Sequence, residues 1–133
     1  MQASERDSSA YDPSLAGELR NVVETGAILE LLRKRAFLTQ ETIATATGTT
    51  ARTVRAWESG AWPRQRADDR LRDLAAIVSV LASSFTPRGI SQWLLARNPA
   101  LGQSRPVEIL GAQPGGGPMV LRVARQLTRA EHV

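Results

Sequence analysis

The chain contains no cysteine, one histidine and one lysine, and aromatic residues make up only 5% of its 133 positions. Each shortage closes off a class of protein. Without cysteine there is neither a disulfide framework nor a zinc–thiolate site, and a reducing cytoplasm is the default location. The single histidine, His132, stands one residue from the C-terminal end, so no histidine-centred catalytic or metal constellation is expected. Apolar runs stop far short of the roughly 20 residues a membrane span needs, and no charged-then-apolar signal segment opens the chain. β-branched residues do not fall into alternating runs, which argues against a sheet.

What is present is a core-forming chain with an uneven charge. Hydrophobic residues make up 42% of the sequence, enough to bury a core, and the net charge is +4. Residues 1–32 carry 2 basic and 6 acidic side chains, whereas residues 33–72 carry 9 basic and 4 acidic. Residues 84–133 are basic again, with 6 Arg against 2 Glu. Such a distribution suits a polyanionic partner. Sixteen of the seventeen basic residues are arginine, the better phosphate and guanine partner, although a GC-rich genome gives the same bias.

Periodicity predicts an all-α fold. The polar segment 1–13 reads as a disordered leader, 14–83 as a first helical domain and 84–133 as a second. A helix is expected from Ser14, broken at Gly26, with a second apolar stripe through Ile28, Leu29, Leu31 and Leu32 to Phe37. Thr39 and Thr50 are candidate N-caps of two short helices, with Gly48 supplying the turn between them. Leu71, Leu74, Ile77, Val78 and Leu81 mark one face of a longer helix starting at Arg64. Thr86-Pro87 caps another that stops at Asn98-Pro99, followed by a short helix from Pro106 to Gly111. Residues 113–118 read as a flexible Gly-Pro hinge, and Met119 to about Thr128 as the last helix.

Two short helices joined by a glycine turn are a tool for reading DNA: the first crosses the backbone and the second enters the major groove. Ile43, Ala44, Val54 and Trp57 stand where they would lock such a pair from within. Trp57 is expected in the core rather than on a base. Helix pairs of this kind are also common in all-α proteins with no nucleic-acid role. Leu38-Thr39-Gln40-Glu41, Ile43-Ala44, Gly48, Thr50, Val54 and Trp57-Glu58-Ser59-Gly60 resemble the helix-turn-helix of Xre, phage-repressor-like regulators. The resemblance implies that Gln40 and Thr50 meet phosphates, and that Ala51, Arg52 and Ala56 face base edges, with Arg55 nearby. It further implies that Arg64 and Arg66 touch backbone or minor groove.

A second resemblance covers the C-terminal part. Trp93-Leu94, Asn98-Pro99, Leu101-Gly102 and Arg105-Pro106-Val107-Glu108-Ile109-Leu110 are similar to the C-terminal domain of Xre/MbcA/ParS-type antitoxins. That family implies the antitoxin of a type II toxin–antitoxin pair, which neutralises a RES-type, NAD-degrading toxin and represses its own operon; double-stranded DNA is expected to be bound as a homodimer, because one recognition helix covers too few base pairs. The triple glycine with its flanking prolines and the Leu127-Thr128-Arg129 end depart from the family pattern. The last helix carries Val120, Val123, Ala124 and Leu127 on one face and Arg122, Arg125 and Arg129 on another. These three arginines are the candidate partner-binding set, on a helix read as a hinged lid at the toxin's active-site entrance, with the tail to Val133. An alternative is a stand-alone dimeric Xre-type repressor whose second half only dimerises. A nucleotide-binding enzyme ranks third, since Gly115-Gly116-Gly117 lacks the Lys-Ser/Thr of a phosphate loop and Asp68, Asp69 and Asp73 read as solvated partners of Arg64 and Arg72. No enzyme activity, cofactor or metal is expected.

Overall fold

The computed structural model describes residues 8–131; Met1–Asp7, His132 and Val133 lie outside it, and with them most of the leader and the end of the proposed lid. Among the described residues the fold is all-α, with eight α-helices and no strand. Helix α1 spans Leu15–Asn21 and α2 Thr25–Glu30, which runs on through a π-helical turn, Leu31–Arg35. The helix pair follows as α3, Gln40–Thr47, and α4, Ala51–Glu58. The long α5, Gln65–Ala82, leads to α6, Pro87–Leu95, a 3-10 turn at Pro99–Leu101, α7, Pro106–Ala112, and α8, Gly116–Glu131.

Local chemistry sets most of these ends. The hydroxyls of Thr39, Thr50 and Thr86 accept from the amides of Thr42, Thr53 and Gly89, three residues on, which satisfies donors that the first turn leaves free. Pro87, Pro99 and Pro106 open their helices, where a missing amide costs nothing. Gly48 closes α3 in the left-handed region, at φ 73°.

Helix α5 is the axis of the molecule. Leu71, Leu74, Ile77, Val78 and Leu81 are fully buried, and the helix packs against α1, α3, α6, α7 and α8. The apolar cluster continues without a gap from Leu15 through Ile90 and Leu94 to Val120 and Ala124, so the segments before and after residue 83 share one core. Trp57, Ile43, Ala44 and Val54 are buried, as the lock between α3 and α4 requires.

Three expectations need correction. Gly26 does not break the first helix; it lies inside α2, and the break falls at Val22–Glu24. Nor is the described part of the leader free. Asp12 is buried and accepts two hydrogen bonds from Arg35, at 2.8 and 3.0 Å, while Ser8 accepts from the Arg88 amide at 2.7 Å. An arginine 23 positions downstream supplied the anchor, which local polarity did not reveal.

The hinge is the third. Gly116, Gly117 and Pro118 form the first turn of α8. A Cβ on Gly116 would run into the Ile109 carbonyl, and one on Gly117 into the Asp73 carboxylate. These glycines allow close packing rather than motion. Val120 and Ala124 sit in the core with Val123 and Leu127 packed beside them, so the apolar face of α8 is already covered by its own protein.

The tightest contact joins the two halves. A Cβ on Gly111 of α7 would collide with the Thr45 carbonyl of α3 and lie 3.2 Å from the Gly48 amide nitrogen. Because the obstacle is backbone, Gly111→Ala should cost about 2–4 kcal/mol, read as a lowered midpoint in thermal unfolding. Removing residues 115–133 should likewise lower the melting temperature, because it uncovers the core face of α5. A truncated chain that melts with the full-length protein would contradict this packing.

Candidate nucleic-acid interface

The α3–α4 pair presents a polar, arginine-bearing outer face over an apolar inner one. Val54 and Trp57, three residues apart, point inward from α4 and are buried. Arg52, Arg55 and Ala56 are exposed on the opposite side, and Ala51 is half-buried at the first turn. The sequence-derived recognition residues therefore share one accessible face. Ala51 and Ala56 offer only apolar contact, so among these four residues hydrogen-bonding capacity rests with the two arginines.

Gln40 and Thr50 are more committed than the sequence implied. The Gln40 amide donates to Glu58 Oε1 at 2.6 Å, and its carbonyl oxygen lies 3.5 Å from Arg55 Nη1. The Thr50 hydroxyl caps α4 and sits 3.1 Å from the Thr53 hydroxyl. Arg64 and Arg66 are exposed beyond the end of α4, one as the residue before α5 and one inside its first turn.

Glu58 is the residue that sequence reasoning missed. Besides Gln40 it accepts from Arg33 Nε at 2.8 Å, tying the start of α3 and the π-turn to the end of α4. Burial pushes its carboxyl up, but the hydrogen bonds from Gln40 and Arg33 and the charges of Arg33 and Arg55 outweigh this. The group is held below its ordinary value of 4.5. Its acidic character within Trp57-Glu58-Ser59-Gly60 was the available signal, yet partners 18 and 25 positions away are invisible to a local pattern.

Ion pairing sorts the basic residues. Arg33, Lys34, Arg35, Arg72 and Arg105 each meet a carboxylate within the protein. Arg35 is bound by both Asp12 and Glu18, and its own affinity for the proton is raised by these hydrogen bonds. Of the aspartates, Asp68 pairs with Arg72, as expected, but Asp69 accepts from Gln65 rather than from Arg64. Asp73 faces the start of α8 with its carboxyl pushed up by burial and by Asp69. By contrast, Arg52, Arg64, Arg66, Arg122, Arg125 and Arg129 form no ion pair among the described residues, nor do Arg20, Arg70, Arg88 and Arg97; Arg55 forms none either, although its charge acts on Glu58. Arg122, Arg125 and Arg129 form an exposed row along α8, whose main neighbours are α5 and α7. No group of three or more His, Asp or Glu able to hold a metal occurs among the described residues. No described helix is long and apolar enough to cross a membrane.

The chain belongs to a family of antitoxin proteins. A protein of Mycobacterium tuberculosis (strain ATCC 25618 / H37Rv) described as a probable mycobacterial cidal antitoxin is 38% identical to it over 96 residues, covering 72% of this chain and 82% of the relative. No family model matches the chain, and no solved structure matches it.

The Glu58 contacts make a signed prediction. A carboxyl held below its unfolded value stabilises the fold above that value, and the stabilisation is lost as pH falls through the folded one. Glu58→Gln should therefore cost up to about 1 kcal/mol at neutral pH, as befits a half-exposed pair. The difference from the parent should vanish in acid below the carboxylate range. Urea titrations at pH 7 and pH 3 measure both.

Proposed function

We propose that this chain is the antitoxin of a type II toxin–antitoxin pair, which neutralises a RES-type, NAD-degrading toxin and represses its own operon by binding DNA through α3 and α4. Its place in an antitoxin family supports the toxin partner. The RES-type identity rests on the resemblance carried by Trp93-Leu94, Asn98-Pro99, Leu101-Gly102 and residues 105–110.

One observation carries the DNA reading: the exposed face of α4 holds Arg52 and Arg55 outside any ion pair, while Val54 and Trp57 lock the helix from behind. A helix that fits a major groove, with such guanidinium groups on its outward side, suits guanine and phosphate contact. Gln40 and Thr50 help fix the helix pair as well as facing phosphates, and Arg64 and Arg66 add backbone contacts. A single such helix covers too few base pairs for useful affinity, so the protein acts as a homodimer on a roughly palindromic operator in the cytoplasm. The same molecule offers the toxin Arg122, Arg125 and Arg129 on the outer face of α8. Residues 14–83 supply the DNA surface and residues 84–133 the toxin surface, built on one core.

Titration of a duplex from the region upstream of its own gene tests the reading. The log of affinity should fall steeply with the log of salt concentration as counterions are released. Arg52→Ala should lose about 1–3 kcal/mol of specific binding and relax preference at one base position. Arg64→Ala should instead weaken all sequences alike and make the salt slope shallower. No shift with this duplex, or a salt-independent one, contradicts the proposal.

A further inference from the structure

Trp62 is the most exposed large apolar side chain among the described residues, at 91% of its possible surface. The other two tryptophans behave differently: Trp57 is buried and Trp93 is packed against the core. An indole left in water forgoes the burial that makes tryptophan useful, so its position calls for a partner.

The segment that presents it is held firmly. The Gly60 amide donates to the Trp57 carbonyl at 3.0 Å and the Ala61 amide to the Ala56 carbonyl at 2.9 Å, so the chain leaves α4 along a fixed course. Pro63 then restrains both its own φ and the conformation of Trp62 before it. Arg64 is extended, with φ −66° and ψ 156°. These are polyproline II angles, in which the chain is extended and its side chains fan out around the axis. Trp62, Arg64 and Arg66 are thus three exposed side chains within five consecutive residues, just beyond α4.

From this placement we infer that Trp62 is a DNA-contacting residue, its indole packing on the deoxyribose rows of the minor groove beside the half-site while Arg64 and Arg66 engage the flanking phosphates. The inference rests on the DNA reading given above and deepens it. A flat apolar ring followed along the chain by two exposed guanidinium groups matches a sugar–phosphate wall, which alternates apolar and anionic surface. A second copy of this chain is the poorer occupant. Two such patches meeting face to face would set the Arg64 and Arg66 pairs of both copies against each other, and only a polyanion relieves that repulsion.

Binding of the upstream duplex by the wild-type protein, Trp62→Ala, Trp62→Phe and Arg64→Ala, each at several salt concentrations, tests this. Trp62→Ala should bind roughly tenfold more weakly with an unchanged melting temperature and an unchanged salt slope, since an indole displaces no counterion. Trp62→Phe should recover part of the loss, and DNA should protect the exposed tryptophan from acrylamide quenching in the wild-type protein. Tight wild-type binding with full affinity in Trp62→Ala overturns the inference and leaves the DNA reading standing. Absence of wild-type binding overturns the DNA reading, and the inference with it.

Discussion

The contact between Gly111 and the turn of the helix pair is the constraint on which the rest of the structure depends. Any side chain at position 111 would displace the Thr45 carbonyl, and Arg70 of α5 lies against Gly48 of the same turn, beside the Gly111 carbonyl. The geometry between α3 and α4 is thus set by α5 and α7 together with the inner residues of the pair. Since α7 continues within a few residues into α8, whose Gly116 and Gly117 press on Ile109 and Asp73, the C-terminal helices brace the α3–α4 pair. The two candidate surfaces, on α4 and on α8, are thus carried by one packed set of helices around a common core.

Charge is divided unevenly. Several arginines are neutralised within the fold: Arg35 gathers Asp12, Glu18 and the Ser14 hydroxyl, Arg72 ties Asp68 to the Val23 carbonyl, and Arg33 reaches Glu58, whereas Arg70 packs against Gly48 without an ion pair. Those on α4, at the start of α5 and along α8 form no ion pair among the described residues. Exposed pairs contribute little stability, so the contrast is more informative about where anions can bind than about how the fold is held. Stability comes from the apolar cluster around α5.

Much of this was legible in the residues. The threonine caps at 39, 50 and 86, the glycine turn at 48 and the apolar repeat from Leu71 to Leu81 follow from local propensity and periodicity, and the helices appear where those rules put them. The failures share a cause. Glycine reads as freedom in a sequence, but at 26, 116 and 117 it lies within helices, and at 116 and 117 it answers to a neighbour distant along the chain. Asp12 and Glu58 look like ordinary surface acids until their partners, 23 and 25 positions away, are brought to them by the fold. For the site, the sequence identified a set of residues that does share one face of α4. It did not disclose that Gln40 is held by Glu58, nor that Trp62 stands in solvent.

Under the proposed function, a toxin partner meets the outer face of α8. The most direct measurement is the NAD content of cells producing a RES-type toxin from the same host, alone, with this chain, or with its Arg122→Glu, Arg125→Glu, Arg129→Glu triple variant. Intact NAD with the wild-type chain, and collapse with a triple variant that still folds and still binds DNA, is the predicted result. NAD that falls equally with and without the wild-type chain would contradict the account.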